Sequence, residues 1–229
     1  MTAMDLPSWP IGVLAYGPVV LREFSELDVP MAIELSTDPY VPLIGSLPAN
    51  ASRQEAREWV DGQRDPLAQG AGFSFAIAEA DTDRAVGDMF LGIKQLPQGR
   101  ASAGYSVISS ARGRGVAAAA LTAVSSFAWS IPALHRIELY IEPWNVTSIK
   151  TAERAGYKRE GLLRSHQEIG GRRRDMLLYA SIRETASRYE QASTWATFSS
   201  SAPLLVAVNG WPVHGCDNLF NIVCRLSQP

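Results

Sequence analysis

"ARGRGVAAAALTAVSSFAW", Ala111 to Trp129, sets two glycines and two arginines directly before a long alanine-rich run. The run reads as a helix, because Val116, Ala120, Val124 and Phe127 fall on one face at helical spacing. Gly113 and Gly115 are poor helix residues, so they belong to its mouth rather than its body. Glycines there let the backbone approach a ligand closely, and the free N–H groups of a helix start favour an anion. Arg112 and Arg114 would add charge to such a cradle. The same residues also suit a tight strand-to-helix turn with surface arginines. Two familiar phosphate motifs do not fit. The Rossmann G-x-G-x-x-G lacks its third glycine, and no Lys-Ser/Thr pair follows for a P-loop. A diphosphate site of another kind remains.

The surrounding sequence supplies a mixed sheet for this helix. Upstream, "PVVLREF" (18–24) reads as a strand and "SELDVPMAIELSTD" (25–38) as a helix, with Leu27, Met31, Ala32 and Leu35 in its stripe despite Pro30. Ser52 and Glu55 have capping-box spacing at the start of a second helix, 52–64. Three strands follow at 72–80, 84–94 and 100–109, separated by short turns. Downstream, 135–142 is a fifth strand and 145–156 a short helix that Gly156 ends. Gly170 and Gly171 turn a long closing hairpin. The order β α α β β β α β α β β predicts an α/β fold: a mixed, mostly antiparallel central sheet with helices on both faces.

Composition narrows the function classes. The 229 residues are 46% hydrophobic and 19% charged, enough apolar surface for a packed core. A net charge of −2 argues against bulk binding to nucleic acid or anionic lipid. No Lys or Arg precedes Arg22, so a secretory signal lacks its basic end. Gly115 to Leu134 is uncharged and long enough to span a bilayer as a helix, but it is mostly Ala with Ser, Thr and Pro, so no membrane span is expected. The two cysteines, Cys216 and Cys224, form no metal-ligand cluster, so no metal site is expected. A reducing, cytoplasmic location and free thiols follow. The composition shifts at Ala186. Residues 1–185 read as one domain. Residues 186–229 read as a C-terminal extension, Ser/Thr-rich at first and then apolar at "PLLVAVNGWPV". It is expected to dock on its own domain or a second subunit, with a partly disordered extension as the other reading.

The span "AGYSVISSARGRGVAAAALTAVSSFAW…LHRIELYIEPWNVTSIKTAERAGYKREGLLR" resembles the GNAT acyltransferase superfamily, nearest the group that includes ribosomal-protein N-terminal acetyltransferases. The likeness covers about residues 18–184. The family's R/Q-x-x-G-x-G/A element, which cradles the coenzyme A pyrophosphate, matches at Arg112, Gly115 and Ala117, with Gly113, Arg114 and Val116 between. The resemblance implies that Ser106, Val107 and Ile108 pair with the pantetheine arm and that the strand at 135–142 splays away to admit the thioester. Its N-x-x-S pattern matches at Asn145 and Ser148, and "GYKREG" matches its G-F/Y-x-x-E-G. The implied function is transfer of an acetyl group from acetyl-CoA to a primary amine, on a protein N-terminus or a small molecule, by a monomer or homodimer. An acyl-CoA-binding regulatory module is the alternative.

Direct transfer needs a neutral amine, donors on the thioester oxygen and a proton for the departing thiolate. The resemblance puts Asn145 on the cofactor and Ser148 near the sulfur, where it could protonate the thiolate. Its hydroxyl would alternatively satisfy first-turn N–H groups. Tyr157 is a second candidate acid, or a core ring. The base is less clear. Relatives often carry a Glu where this chain has Ser102, and another acidic position falls at Gln167. Glu168 and His166 flank it, but alternation turns both to the opposite face. Glu138 is a candidate base, with Glu142 on the same strand and a chain of waters as the alternatives. "GGRRRD" (170–175) reads as a solvated hairpin tip, with an acidic partner as the other reading.

Overall fold

The computed structural model describes Trp9 and residues 12–184. The expectations for the extension, including its docking and its thiols, lie outside the described residues. The strands are β1 (Leu14–Tyr16), β2 (Val19–Arg22), β3 (Gly72–Glu79), β4 (Ala85–Gly92), β5 (Arg100–Val107), β6 (Arg136–Ile141), β7 (Lys158–Ile169) and β8 (Arg172–Ile182). They form one eight-stranded sheet in the order β1-β2-β3-β4-β5-β6-β8-β7. Only β5 and β6 run parallel. The helices are α1 (Val29–Ser36), α2 (Val41–Ile44), α3 (Arg53–Gly62), α4 (Asp65–Ala68), α5 (Val116–Ala128) and α6 (Val146–Arg154).

Alternation along the central strands explains the layers. Phe73 and Phe75 on β3 meet Phe127 of α5 edge-on, at 5.0 and 5.9 Å between ring centres. Met89 and Leu91 on β4, with Tyr105 and Ala103 on β5, are their cross-strand partners, and all are buried. Odd-numbered positions therefore face α5. Even-numbered positions face the other layer, where Ser74 Oγ donates to Gln63 Oε1 at the end of α3 (2.8 Å). Truncating Phe127 to Ala would open a cavity in this core, at a cost of about 3–5 kcal/mol. The capping box at Ser52 and Glu55 forms as its spacing predicts.

The sheet opens at its parallel pair. β5 and β6 are in register only over Arg100↔Arg136, Ala101↔Ile137 and Ser102↔Glu138. Beyond that point β5 stays with β4 as far as Val107, and β6 stays with β8 as far as Ile141. A wedge results between the C-terminal halves of β5 and β6, as the splayed pair requires.

Two local features differ from the sequence reading. β1 has only three residues, too few for a period to register in the sequence. The helix expected over 25–38 is a 3₁₀ turn at Glu26–Asp28 followed by α1, because Pro30 has no N–H and fits only a first turn. Leu27, placed in the apolar stripe, is 84% exposed as a result. The stretch Gly115–Leu134 yields a helix of 13 residues, and no helix among the described residues is long and apolar enough to cross a membrane.

Candidate active site

α5 begins at the mouth of the wedge. Gly113 and Gly115 adopt φ of +74° and +79°, the left-handed region that L side chains rarely enter. A Cβ built on either would have no heavy atom within 4 Å, so the space before the loop is open. Gly115 occupies the N-cap position and no side chain caps the helix. The first N–H groups of α5 therefore point outward without intrahelical acceptors. Such a cradle fits the oxygens of a diphosphate.

Both loop arginines are already paired. Arg112 Nε donates to the Val107 carbonyl (2.9 Å) and its Nη2 to Asp38 Oδ2 (2.6 Å). Arg114 Nη2 lies 2.9 Å from Glu79 Oε1. The guanidinium of Arg112 thus ties the loop to the chain between α1 and α2. Glu34 of α1 holds the same loop by accepting from the Ser110 N–H and the hydroxyls of Ser109 and Ser110. Ser106, Val107 and Ile108 are all buried on the strand side of the mouth.

α6 starts across the wedge. Asn145 Oδ1 accepts from the Ser148 N–H (3.0 Å), so Asn145 makes the cap. The Ser148 hydroxyl is fully buried and has no partner among the described residues. A buried hydroxyl left unpaired costs free energy. Tyr157 lies in the core, its hydroxyl 2.7 Å from Ser125 Oγ.

The face of β6 turned to α1 and α2 carries Glu138, Tyr140 and, just beyond the strand, Glu142. Glu138 Oε1 accepts from Arg136 Nε (2.6 Å) and lies 3.8 Å from Arg100, while its Oε2 accepts from the Tyr140 hydroxyl (2.7 Å). Both oxygens are engaged by side chains of the fold. Burial, then the bond to Glu138, push the Tyr140 phenol well above its usual range. Glu142 is 3% exposed and accepts from the Tyr40 hydroxyl, with Arg174 Nε 3.6 Å from its other oxygen.

The acetyltransferase (GNAT) domain family matches residues 19–158, more than half of the chain. The chain belongs to the GNAT acetyltransferase family. It is similar to the uncharacterized N-acetyltransferase p20 of Bacillus licheniformis, 26% identical over 165 residues, which covers 72% of this chain and 93% of that protein. Among solved structures it resembles the RimJ of Mycobacterium smegmatis in complex with a CoA disulfide. That match has a TM-score of 0.62 and 26% identity, over 75% of this chain and 86% of the other. The fold also matches RimL, a ribosomal L7/L12 α-N-protein acetyltransferase in complex with coenzyme A. Here the TM-score is 0.64 and the identity 20%, over 75% and 98% of the two chains.

The chain is thus an acyl-CoA-dependent N-acetyltransferase. This acetyltransferase brings the 112–117 loop, Ser106–Ile108, Asn145 and Ser148 to one wedge, and Glu138 to the sheet face beside its narrow end. Tyr157 is directed to Ser125 instead. One orientation needs correction. Strict alternation turns His166 away from the site, but β7 bulges between Leu163 and Gln167, with Ser165 at φ +49°. The His166 ring stacks on Tyr140, 5.0 Å between centres and 14° from parallel. Burial, then nearby Arg173, hold His166 below its usual range. Tyr40 and Arg174 both meet Glu142. No sequence spacing links them to Glu142, 102 and 32 residues away.

Proposed function

We propose that this acetyltransferase moves the acetyl group of acetyl-CoA directly to a primary amine, within the wedge between β5 and β6. The backbone of residues 113–117 receives the diphosphate, Ser106–Ile108 align the pantetheine arm, and Asn145 borders it. The observation that carries this reading is the open left-handed glycine loop at the α5 start, facing the divergence of two parallel strands. Polar groups placed there fix the thioester carbonyl where an amine can reach it.

Attack by the amine forms a C–N bond and breaks the C–S bond. Ser148 passes a proton to the departing sulfur and takes in exchange the proton that the attacking amine sheds; its hydroxyl is buried, has no partner among the described residues and is relieved of the capping duty that Asn145 performs. Tyr157 and Glu138 take supporting parts: Tyr157 braces the core through Ser125, and Glu138 fixes Arg136 and Tyr140. The names of the relatives support an amine acceptor, since RimL acts on a protein α-amine. Acetyl-CoA consumption over a broad amine panel tests the proposal. Amine-dependent release of free thiol is expected. Tight binding of coenzyme A without turnover on any amine would instead support a binding module.

A further inference from the structure

The net charge of −2 conceals a division of charge along the sheet. Residues 12–99, which form β1 to β4 and α1 to α4, hold 13 acidic and 6 basic side chains. Residues 146–183, which form α6, β7 and β8, hold 9 basic and 4 acidic ones. β7 is the edge strand at this basic end. Tyr179, the cross-strand partner of Arg159, donates to Glu153 Oε1 (3.1 Å) and so sets α6 beside the start of that strand. Lys150 and Arg154 lie one turn apart on α6, Lys158, Arg159 and Arg164 follow along β7, and Arg172 stands at the far turn, opposite Ile169. All six are exposed, and none has an ion pair among the described residues. The acidic groups among them are engaged elsewhere: Glu160 accepts from Arg136 (2.9 Å) and Asp175 from the Ser165 N–H (2.7 Å). In the acidic half, Arg22, Arg57 and Arg84 all have carboxylate partners. Grouped like charges repel one another, and a bound anion relieves that repulsion.

The kind of anion follows from what else the strand presents. Leu162, between Arg159 and Arg164, is 45% exposed, so an apolar side chain of the ligand has a contact among the cations. Register shifts at Arg159/Gly161 and Leu163/Gln167 interrupt the outer ladder of β7, which leaves recognition to side chains and disfavours pairing with the same strand of a second copy. No exposed Phe, Tyr or Trp lies on α6, β7 or β8 as a platform for nucleic-acid bases, and the acidic half repels a long phosphate chain. The chain's own residues 185–229 hold two acidic and two basic side chains, so they carry no net charge to complement this surface. We propose that α6 and the outer strand β7 form a docking surface for an acidic segment of a partner protein. The six cations take its carboxylates and Leu162 takes an apolar side chain between them. None of the six belongs to the glycine loop or to the Asn145–Ser148 turn, so docking and acetyl transfer are separable.

Fluorescence anisotropy with the full chain tests this, using a labelled Glu-rich peptide interrupted by Leu. The same peptide with Lys in place of Glu, and single-stranded oligouridylate, are the comparison probes. Binding is measured at about 50 mM and about 300 mM salt, where the Debye length differs more than twofold. The proteins are wild type, Lys158→Glu combined with Arg164→Glu, Leu162→Ser, and Arg53→Glu on α3 as a control far from the surface. Thermal midpoint and coenzyme A affinity are measured for each. The acidic peptide is expected to bind wild type and Arg53→Glu alike, and to lose affinity at least about tenfold at the higher salt. The charge-reversed protein should bind it at least about tenfold more weakly while keeping its thermal midpoint, and Leu162→Ser should weaken it by a smaller factor. The lysine peptide should not bind. Tighter binding of oligouridylate than of the acidic peptide overturns the choice of partner. No binding to wild type, equal binding by the charge-reversed protein, or salt-dependent self-association that leaves the peptide unbound overturns the surface.

Discussion

Arg112 and Asp38 join the glycine loop to the Tyr40 segment through one ion pair of 2.6 Å. Asp38 Oδ1 also accepts from the Tyr40 N–H (2.8 Å), so the carboxylate holds the loop with one oxygen and the Tyr40 segment with the other. The side chains are 18% and 7% exposed, which limits solvent screening.

Arg112→Ala should therefore lower unfolding free energy by about 1–3 kcal/mol, as for loss of a charged hydrogen bond. Arg112→Lys should recover little, because a lysine cannot reach both the Val107 carbonyl and Asp38 in the same fork geometry. Urea denaturation of these variants and of Asp38→Asn, taken as a double-mutant cycle, checks the coupling. Additive effects would show that the pair contributes nothing.

Ser148 and Asn145 should separate function from stability. The cap belongs to Asn145, so Asn145→Ala is expected to cost about 1 kcal/mol. Ser148→Ala removes a hydroxyl with no partner among the described residues, and its thermal midpoint should hold or rise. Its kcat should fall by about 10- to 1,000-fold with a modest change in KM. A destabilised Ser148→Ala with normal kcat would return Ser148 to a purely structural part.

His166 should titrate below free histidine and stay neutral at pH 7. Burial against Tyr140 disfavours the imidazolium, Arg173 adds like-charge repulsion, and Glu138 opposes both. Arg173→Gln removes the repulsion, so the pKa should move upward. An NMR titration of the His166 ring in both proteins measures this. A downward shift in the variant would contradict the placement.

The order of elements and the donor side were legible because their signals are local. Alternation marked β3, β4 and β5, the Ser52–Glu55 pair marked α3, and the glycine loop lay within a few residues of the helix that it opens. The contacts on the shared face of β6, β7 and β8 were not legible. Gln167 meets Arg174 only through a bulge that begins beyond Leu163, and a bulge leaves no period to read. Glu138 stood out as a carboxylate on the right strand, yet its partners Arg100, Arg136 and Tyr140 engage both oxygens, a fact of packing rather than of spacing.

The donor cradle is the central claim, and titration calorimetry of coenzyme A into wild type and Gly115→Val tests it most directly. Among the described residues, no heavy atom beyond its chain neighbours lies within 4 Å of the added Cβ, so a branched side chain there meets the ligand rather than the fold. The left-handed φ adds a strain of about 1–2 kcal/mol, which circular dichroism and a thermal melt would register as a folded but less stable protein. Coenzyme A affinity is expected to fall at least about tenfold, the equivalent of 1.4 kcal/mol. Unchanged affinity in folded Gly115→Val would contradict the placement of the diphosphate on this loop.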